Sequence, residues 1–172
     1  ILMAAFVQTL GDTLRGTGES LNMILMGAGS EDYLEQSEVS AGIPAVLEPS
    51  VPQIARHHDT PLISPEIHHA TVVRLSEKDE TGPAAGTRMA LVRGITPVAF
   101  LVHRQVYLRE GQTPGPGEVM VGRLAAAKLG LTEEQLTPGA TLFFEGRPWK
   151  ISGVFEAPGT AFESEIWASL ED

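Results

Sequence analysis

The most tempting chemistry in this 172-residue chain lies in its five histidines: His57-His58-Asp59, the pair His68-His69 about ten residues on, and His103. Imidazole and carboxylate ligands together can hold a divalent metal. Adjacent residues on a strand point to opposite faces, however, so at most one of His68 and His69 can serve a given site. Surface and strand-edge positions for these side chains are the competing, simpler reading. Glu163 and Glu165 are two apart and would share one face of a strand, which could suit paired carboxylates in acid–base work. For hydrolysis, the sequence holds no Gly-x-Ser-x-Gly elbow, and Ser152-Gly153 falls inside an expected strand. Gly27-Ala-Gly29 lacks the third glycine of a dinucleotide fingerprint, and no Gly-Lys-Ser/Thr occurs, so no phosphate-cradling loop is expected. Cysteine is absent, which removes thiol catalysis, disulfides and thiolate zinc sites.

The elements that would position these residues follow from periodicity and turn chemistry. Val119, Met120 and Val121 make a short apolar strand closed by Gly122. Leu124, Ala125, Lys128 and Leu129 then recur at helical spacing until Gly130 can act as a C-cap. Thr137-Pro138-Gly139 is a turn, Thr141 to Phe144 a second strand, and Glu145-Gly146-Arg147-Pro148 a reversal. Trp149, Ile151 and Gly153-Val154-Phe155 return as a third strand. Upstream, Leu21 to Met26 is expected as a buried strand and 31–49 as largely irregular. Ser50 is expected to cap a short helix through Ala55, with Pro52 in its first turn. Glu66 to Leu75, Thr87 to Gly94 and Gln105 to Leu108 are expected strands, Ser76 to Gly86 a polar loop, and Thr113 to Gly117 a rigid turn. At the start, the apolar run Ile1 to Val7 leads into the stripe Phe6, Leu10, Leu14. That run is far shorter than the ~20 residues a bilayer span needs, and the opening helix ends near Gly16 to Gly18.

With 42% hydrophobic residues the chain can bury a core as one domain or two small lobes. Its formal net charge of −10 is uneven: residues 1 to 86 hold 12 acids and 4 bases, residues 87 to 172 hold 10 and 8. Nucleic-acid binding depends on Lys and Arg contacts to phosphates, so this balance argues against it, and against an anionic membrane surface. The six acids from Glu19 to Glu48, among them Glu31, Asp32, Glu35 and Glu38, form a solvated linker face in the simpler reading, or an acidic docking or hard-cation patch.

Several ordered motifs carry a family resemblance: Glu118-Val119-x-Val121-Gly122, Leu124-Ala125, Leu129-Gly130-Leu131, Pro138-Gly139-x-Thr141-Leu142, Gly146-Arg147-x-Trp149, Gly153-Val154-Phe155-Glu156 and Phe162-Glu163-Ser164-Glu165-Ile166-Trp167. With Val92-Arg-Gly-Ile-Thr-Pro97 and Asn22-Met-Ile-Leu-Met26 upstream, the set resembles the MacB-like periplasmic core domain of ABC transporter permeases of the MacB, FtsX and lipoprotein-release type. The resemblance implies an α+β fold: a porter-like α/β lobe with a small inserted mixed α/β lobe, the first lobe being truncated at its C-terminal end. The expected division is 1–18 as a helix continuing a transmembrane helix, 19–95 as the first part of the porter-like lobe, 96–160 as the inserted lobe, and 161–172 as the return. It further implies no catalysis in this chain and no cofactor, ATP being bound by a separate ATPase domain or subunit. The implied partners are the cognate ABC ATPase, a second permease copy, and a periplasmic protein or lipoprotein, with the domain on the outer side of the cell's inner membrane. Phe162, Ile166 and Trp167 are the candidate contacts, either to a partner or between lobes. A free-standing ligand- or protein-binding module without a membrane tether is the alternative.

Overall fold

The structure, a computed structural model, describes residues 21–28, 37–77 and 88–172. The opening helix, its stripe, the acids Glu31, Asp32 and Glu35, and most of the loop expected at Ser76 to Gly86 lie outside the described residues. Nine strands are described: β1 (Arg56–His57), β2 (Thr60–Pro61), β3 (Ile67–Val72), β4 (Met89–Ile95), β5 (Tyr107–Gly111), β6 (Glu118–Gly122), β7 (Thr141–Phe144), β8 (Arg147–Glu156) and β9 (Ile166–Ser169). β1 and β2 form a small hairpin, and the other seven form one sheet in the order β3-β4-β9-β6-β8-β5, with β7 also on β8.

The sheet is mixed, and its strand order explains why it can curl. β4 runs parallel to β9 and β6 parallel to β8, while the remaining pairs are antiparallel. β8 is long enough for β7 to pair with its first half and β5 with its second. Just beyond β3, Arg74 exchanges two backbone hydrogen bonds with Phe143 of β7, at 2.8 and 2.9 Å. The sheet thus bends back on itself, which satisfies edge groups that would otherwise invite pairing with another chain. β9 lies between β4 and β6, so one continuous sheet runs through the segments 19–95, 96–160 and 161–172.

Alternation along these strands builds two cores, one on each face. Val92, Val119, Val121, Leu142, Trp149, Ile151, Ile166 and Ala168 face one way and pack with Ala125 and Leu129 of the helix Ala125–Leu129 and with Leu136 of the 3-10 turn Glu133–Leu136. Met120, Phe155, Trp167 and Ile95 face the other way, with Phe162, Val106 and Ala99 of the helix Ala99–Val102. Parity changes along β8 because Ser152 is an extra residue: Val119 pairs with Ile151 but Met120 with Gly153. This bulge sends Phe155 to the face opposite Trp149 and Ile151. At the end of β6 the chain approaches the 3-10 turn Ala161–Ser164 so closely that a Cβ on Gly122 would lie 2.3 Å from the Glu163 carbonyl oxygen. Only glycine fits there.

Several sequence expectations hold, with shifted ends. The β6–helix–β7–β8 block is as expected, including Gly130 in the left-handed C-cap conformation at φ 65°. Glu145 and Gly146, with φ of 51° and 73°, make the two-residue reversal between β7 and β8. Positive φ at both central positions is the mark of a turn whose twist matches the strands. Glu145 is held in this unusual conformation from outside, since Thr71 Oγ1 donates to its Oε1 at 2.6 Å and His69 Nε2 lies 3.0 Å away. β4 and β5 begin about two residues later than expected.

Other expectations are corrected. Leu21 to Met26 is not a buried strand: these residues are irregular, with Leu21 93% and Met23 95% exposed. An apolar run becomes a strand only where another strand offers its edge, and none of the described strands pairs with it. The segment is instead attached through Asn22, whose Nδ2 donates to the Val102 carbonyl at 2.9 Å. Nor does Ser50 cap a helix; it ends one, Ile43–Ser50. Pro44 sits in that helix's first turn, where its missing N–H costs no bond, and Val51 N closes the end by donating to Leu47 O at 3.0 Å. Among the described residues no helix is long and apolar enough to cross a membrane.

Candidate functional site

The densest polar chemistry of the described residues is buried beside the second core. Arg93 lies near the middle of β4 and points away from Ala90 and Val92, by the alternation of the strand. Parallel pairing sets Arg93 opposite Trp167 of β9, and Glu165, two residues earlier, shares the Trp167 face. The consequence is a forked ion pair: Arg93 Nε donates to Glu165 Oε2 at 2.7 Å and Nη2 to Oε1 at 2.9 Å. Trp167 Nε1 adds a third donor to Glu165 Oε2 at 2.9 Å. On the other side, Arg93 Nη1 donates to Glu66 Oε2 at 2.7 Å, from the residue immediately before β3.

Glu66 is itself clamped. Its Oε1 accepts from Ser64 Oγ at 2.7 Å and lies 2.6 Å from Nε2 of His103, which follows the helix Ala99–Val102. The guanidinium carbon of Arg93 sits 4.7 Å from the centre of the Phe162 ring, adding a cation–π contact. One network therefore joins the approach to β3, β4, β9 and the end of a helix. Charges this deep survive only when paired and fully hydrogen-bonded, and the fork geometry of arginine supplies both.

Burial alone would push the Glu66 carboxyl up, but the hydrogen bonds from His103 and Ser64 and the charges of His103 and Arg93 outweigh it and hold it down at about 2. A carboxyl depressed in the folded state stabilises above its unfolded value, near 4.5, and that contribution is lost as pH falls through about 2. Acid titration of stability between those limits is therefore expected to show a loss of up to about 3 kcal/mol that Glu66→Gln abolishes. Urea denaturation at a series of pH values measures it; an unchanged slope in the variant would contradict the assignment.

A second ionic group lies at the end of β8. Arg123 Nε is 3.3 Å from Oε1 of the buried Glu163, and Arg109 Nη1 is 3.3 Å from Glu156, whose Oε2 accepts from Tyr107 OH at 3.0 Å. Glu163 also accepts from the backbone N–H of Ala157 at 3.4 Å. Glu163 and Glu165 are thus not the strand-face pair expected from sequence. Glu163 lies in the 3-10 turn and meets Arg123, while Glu165 meets Arg93. Each carboxylate has its oxygens taken up by its own guanidinium, and the two do not face one another as a pair for proton transfer.

The remaining candidates are dispersed. His57 and His58 touch each other edge to face at 4.5 Å on the exposed β1–β2 hairpin, His69 meets Glu145, and His103 meets Glu66. Among the described residues no group of three or more His, Asp or Glu side chains is placed to hold a metal ion. Ser152 Oγ lies 3.1 Å from the carbonyl oxygens of both Val119 and Gln112, so its single O–H is taken up within the bulge. Phe162, Ile166 and Trp167 lie inside the fold, with Ile166 and Trp167 fully buried, and Ile166 faces the core opposite to the other two. Arg93 and Glu66 carried no functional weight in the sequence reading. The signal was present: a single charge interrupts the apolar run Leu91-Val92-Arg93-Gly94-Ile95.

Comparison with known proteins gives a consistent result. The model of the MacB-like periplasmic core domain matches residues 1–172. Three solved structures share the fold, each with a TM-score of 0.53. The periplasmic region of MacB from Actinobacillus actinomycetemcomitans is 16% identical, over 91% of this chain and 68% of its own. The extracellular domain of the noncanonic ABC-type transporter YknZ from Gram-positive bacteria is 14% identical, over 78% of this chain and 63% of its own. A domain of a putative permease from Porphyromonas gingivalis is 16% identical, over 78% of this chain and 54% of its own. The chain thus spans about half to two thirds of these solved domains. No curated protein matches it.

Proposed function

This chain belongs to the family of MacB-like periplasmic core domains, and from that premise we propose that it is the extracytoplasmic part of an ABC transporter permease. In this reading it engages a substrate or a periplasmic partner and passes on the conformational change that ATP hydrolysis drives on the other side of the membrane. The observation that carries the proposal is the family match along the entire chain. The buried Arg93 network supports it, because an element that transmits motion must move as a body, and ion pairs linking β4 to the residues that lead into β3 and β9 oppose internal slippage. A cognate ATPase and a second permease copy are the partners this role requires, with a periplasmic protein or lipoprotein as a further one. The chain itself performs no catalysis in this account.

Residues 1–18 would be the lever that joins the domain to the membrane. Flexible glycine linkers inserted near Gly16 in the full permease are expected to reduce transport severalfold while ATP binding persists; transport at the unmodified rate would refute the lever. The gene that encodes the chain separates this reading from a free-standing binding module. The permease reading requires apolar segments of about 20 residues before Ile1 and after Asp172, and a free module forbids them.

A further inference from the structure

A cleft of about 340 Å³ opens between the β1–β2 hairpin and the helix Ala99–Val102, lined by Arg56, His57, Leu62, Phe100, Leu101 and Arg104. Its composition is unusual for this molecule. The chain has ten more acids than bases, yet two of its twelve arginines and lysines meet here and, among the described residues, no Asp or Glu lines the space. Arg56 is partly committed, with Nη1 bonded to Glu48 Oε1 at 2.9 Å and Nη2 to the Asp59 carbonyl. Arg104 is exposed and carries no ion pair or hydrogen bond among the described residues.

We infer that this cleft is a binding site for a small amphipathic anion, a carboxylate or phosphate attached to an apolar body. The head would sit on the Arg104 guanidinium, with Arg56 and His57 beside it, because guanidinium donors match the paired oxygens of either group. The body would lie on Leu62, Phe100 and Leu101, which are only partly buried and present apolar surface to the space. A volume of about 340 Å³ is at the small end for a ligand site, so the body is short. The floor is rigid: Phe100 packs against the second core with its ring 5.9 Å from that of Trp167, and the end of its helix is fixed where His103 meets Glu66. This site does not depend on the lever, and its test is direct binding.

The full chain would be titrated with octanoate, octyl phosphate, octanol and inorganic phosphate, following NMR shifts of Leu62, Phe100 and Leu101. Octanoate or octyl phosphate is expected to bind at least about tenfold more tightly than octanol, since a charged hydrogen bond of this kind is worth roughly that factor. The tighter of the two names the head group. Inorganic phosphate, lacking a body, is expected not to shift the leucine and phenylalanine signals. Arg104→Gln, at an exposed position, should leave the unfolding midpoint unchanged and bring the octyl anions down to the affinity of octanol. Octanol binding as tightly as the anions, or Arg104→Gln binding them as tightly as the unmodified chain, would overturn the proposal.

Discussion

Arg93→Met is expected to lower the stability of the domain by about 3–5 kcal/mol, the usual cost of removing one member of a buried ion network. The loss is not the worth of one contact. Glu165, with its side chain 4% exposed, would be left without its cation, and Glu66, 13% exposed, would keep only His103 and Ser64, in surroundings that penalise charge. Small domains have only about 5–15 kcal/mol in total, so the variant should unfold at markedly lower urea. A compensated variant distinguishes this explanation from lost packing. Arg93→Met combined with Glu165→Leu and Glu66→Leu removes the stranded charges and is expected to recover most of the stability, as apolar replacements of whole buried networks often do. If the single substitution costs under about 1 kcal/mol, the network is not the clamp described here.

Trp167→Ala is expected to cost a comparable amount, about 3–5 kcal/mol, by a different route. Trp167 is fully buried, with its ring centre 4.9 Å from Phe155, 5.6 Å from Phe162 and 5.9 Å from both Phe100 and His103. Truncation to alanine opens a cavity that these rings cannot close without shifting the helix, turn and strand that carry them. The same change removes the Nε1 donor to Glu165 Oε2. Trp167→Phe separates the two effects: it keeps most of the ring packing and loses the donor, and should cost roughly 1–2 kcal/mol. Thermal unfolding of both variants measures the difference, and equal costs would show that the hydrogen bond, and not the volume, holds the residue.

Legibility in the sequence follows the range of the interactions. The block from Glu118 to Phe155 was readable because each piece is decided locally: an apolar strand, a helix stopped by Gly130, a reversal at Glu145-Gly146. Leu21 to Met26 misled because apolar character shows only that a strand is possible, whereas pairing depends on what the rest of the chain places beside it. The helix Ile43–Ser50 was hidden by Pro44 and Pro49, which argue for a loop unless one falls in the first turn and the other at the end, as here. The ion network was least legible. Arg93 and Glu165 are 72 residues apart and meet only because β4 and β9 run parallel in one register. The family resemblance carried the aromatic Phe162 to Trp167 motif without its purpose, which is to place Glu165 and Trp167 on one face beside Arg93.

In the role proposed above, this domain moves as one body in response to ATP. This is tested by spin labels at the exposed Lys128, on the helix Ala125–Leu129, in the two permease copies that the proposed role requires. Pulsed electron resonance would report the distance between the copies with and without ATP. A separate pair of labels at Ala45 and Lys128 would report the distance within one copy. The account predicts that the distance between copies shifts on ATP binding while the distance within each copy holds. A transporter that turns over with the distance between copies unaltered would contradict it.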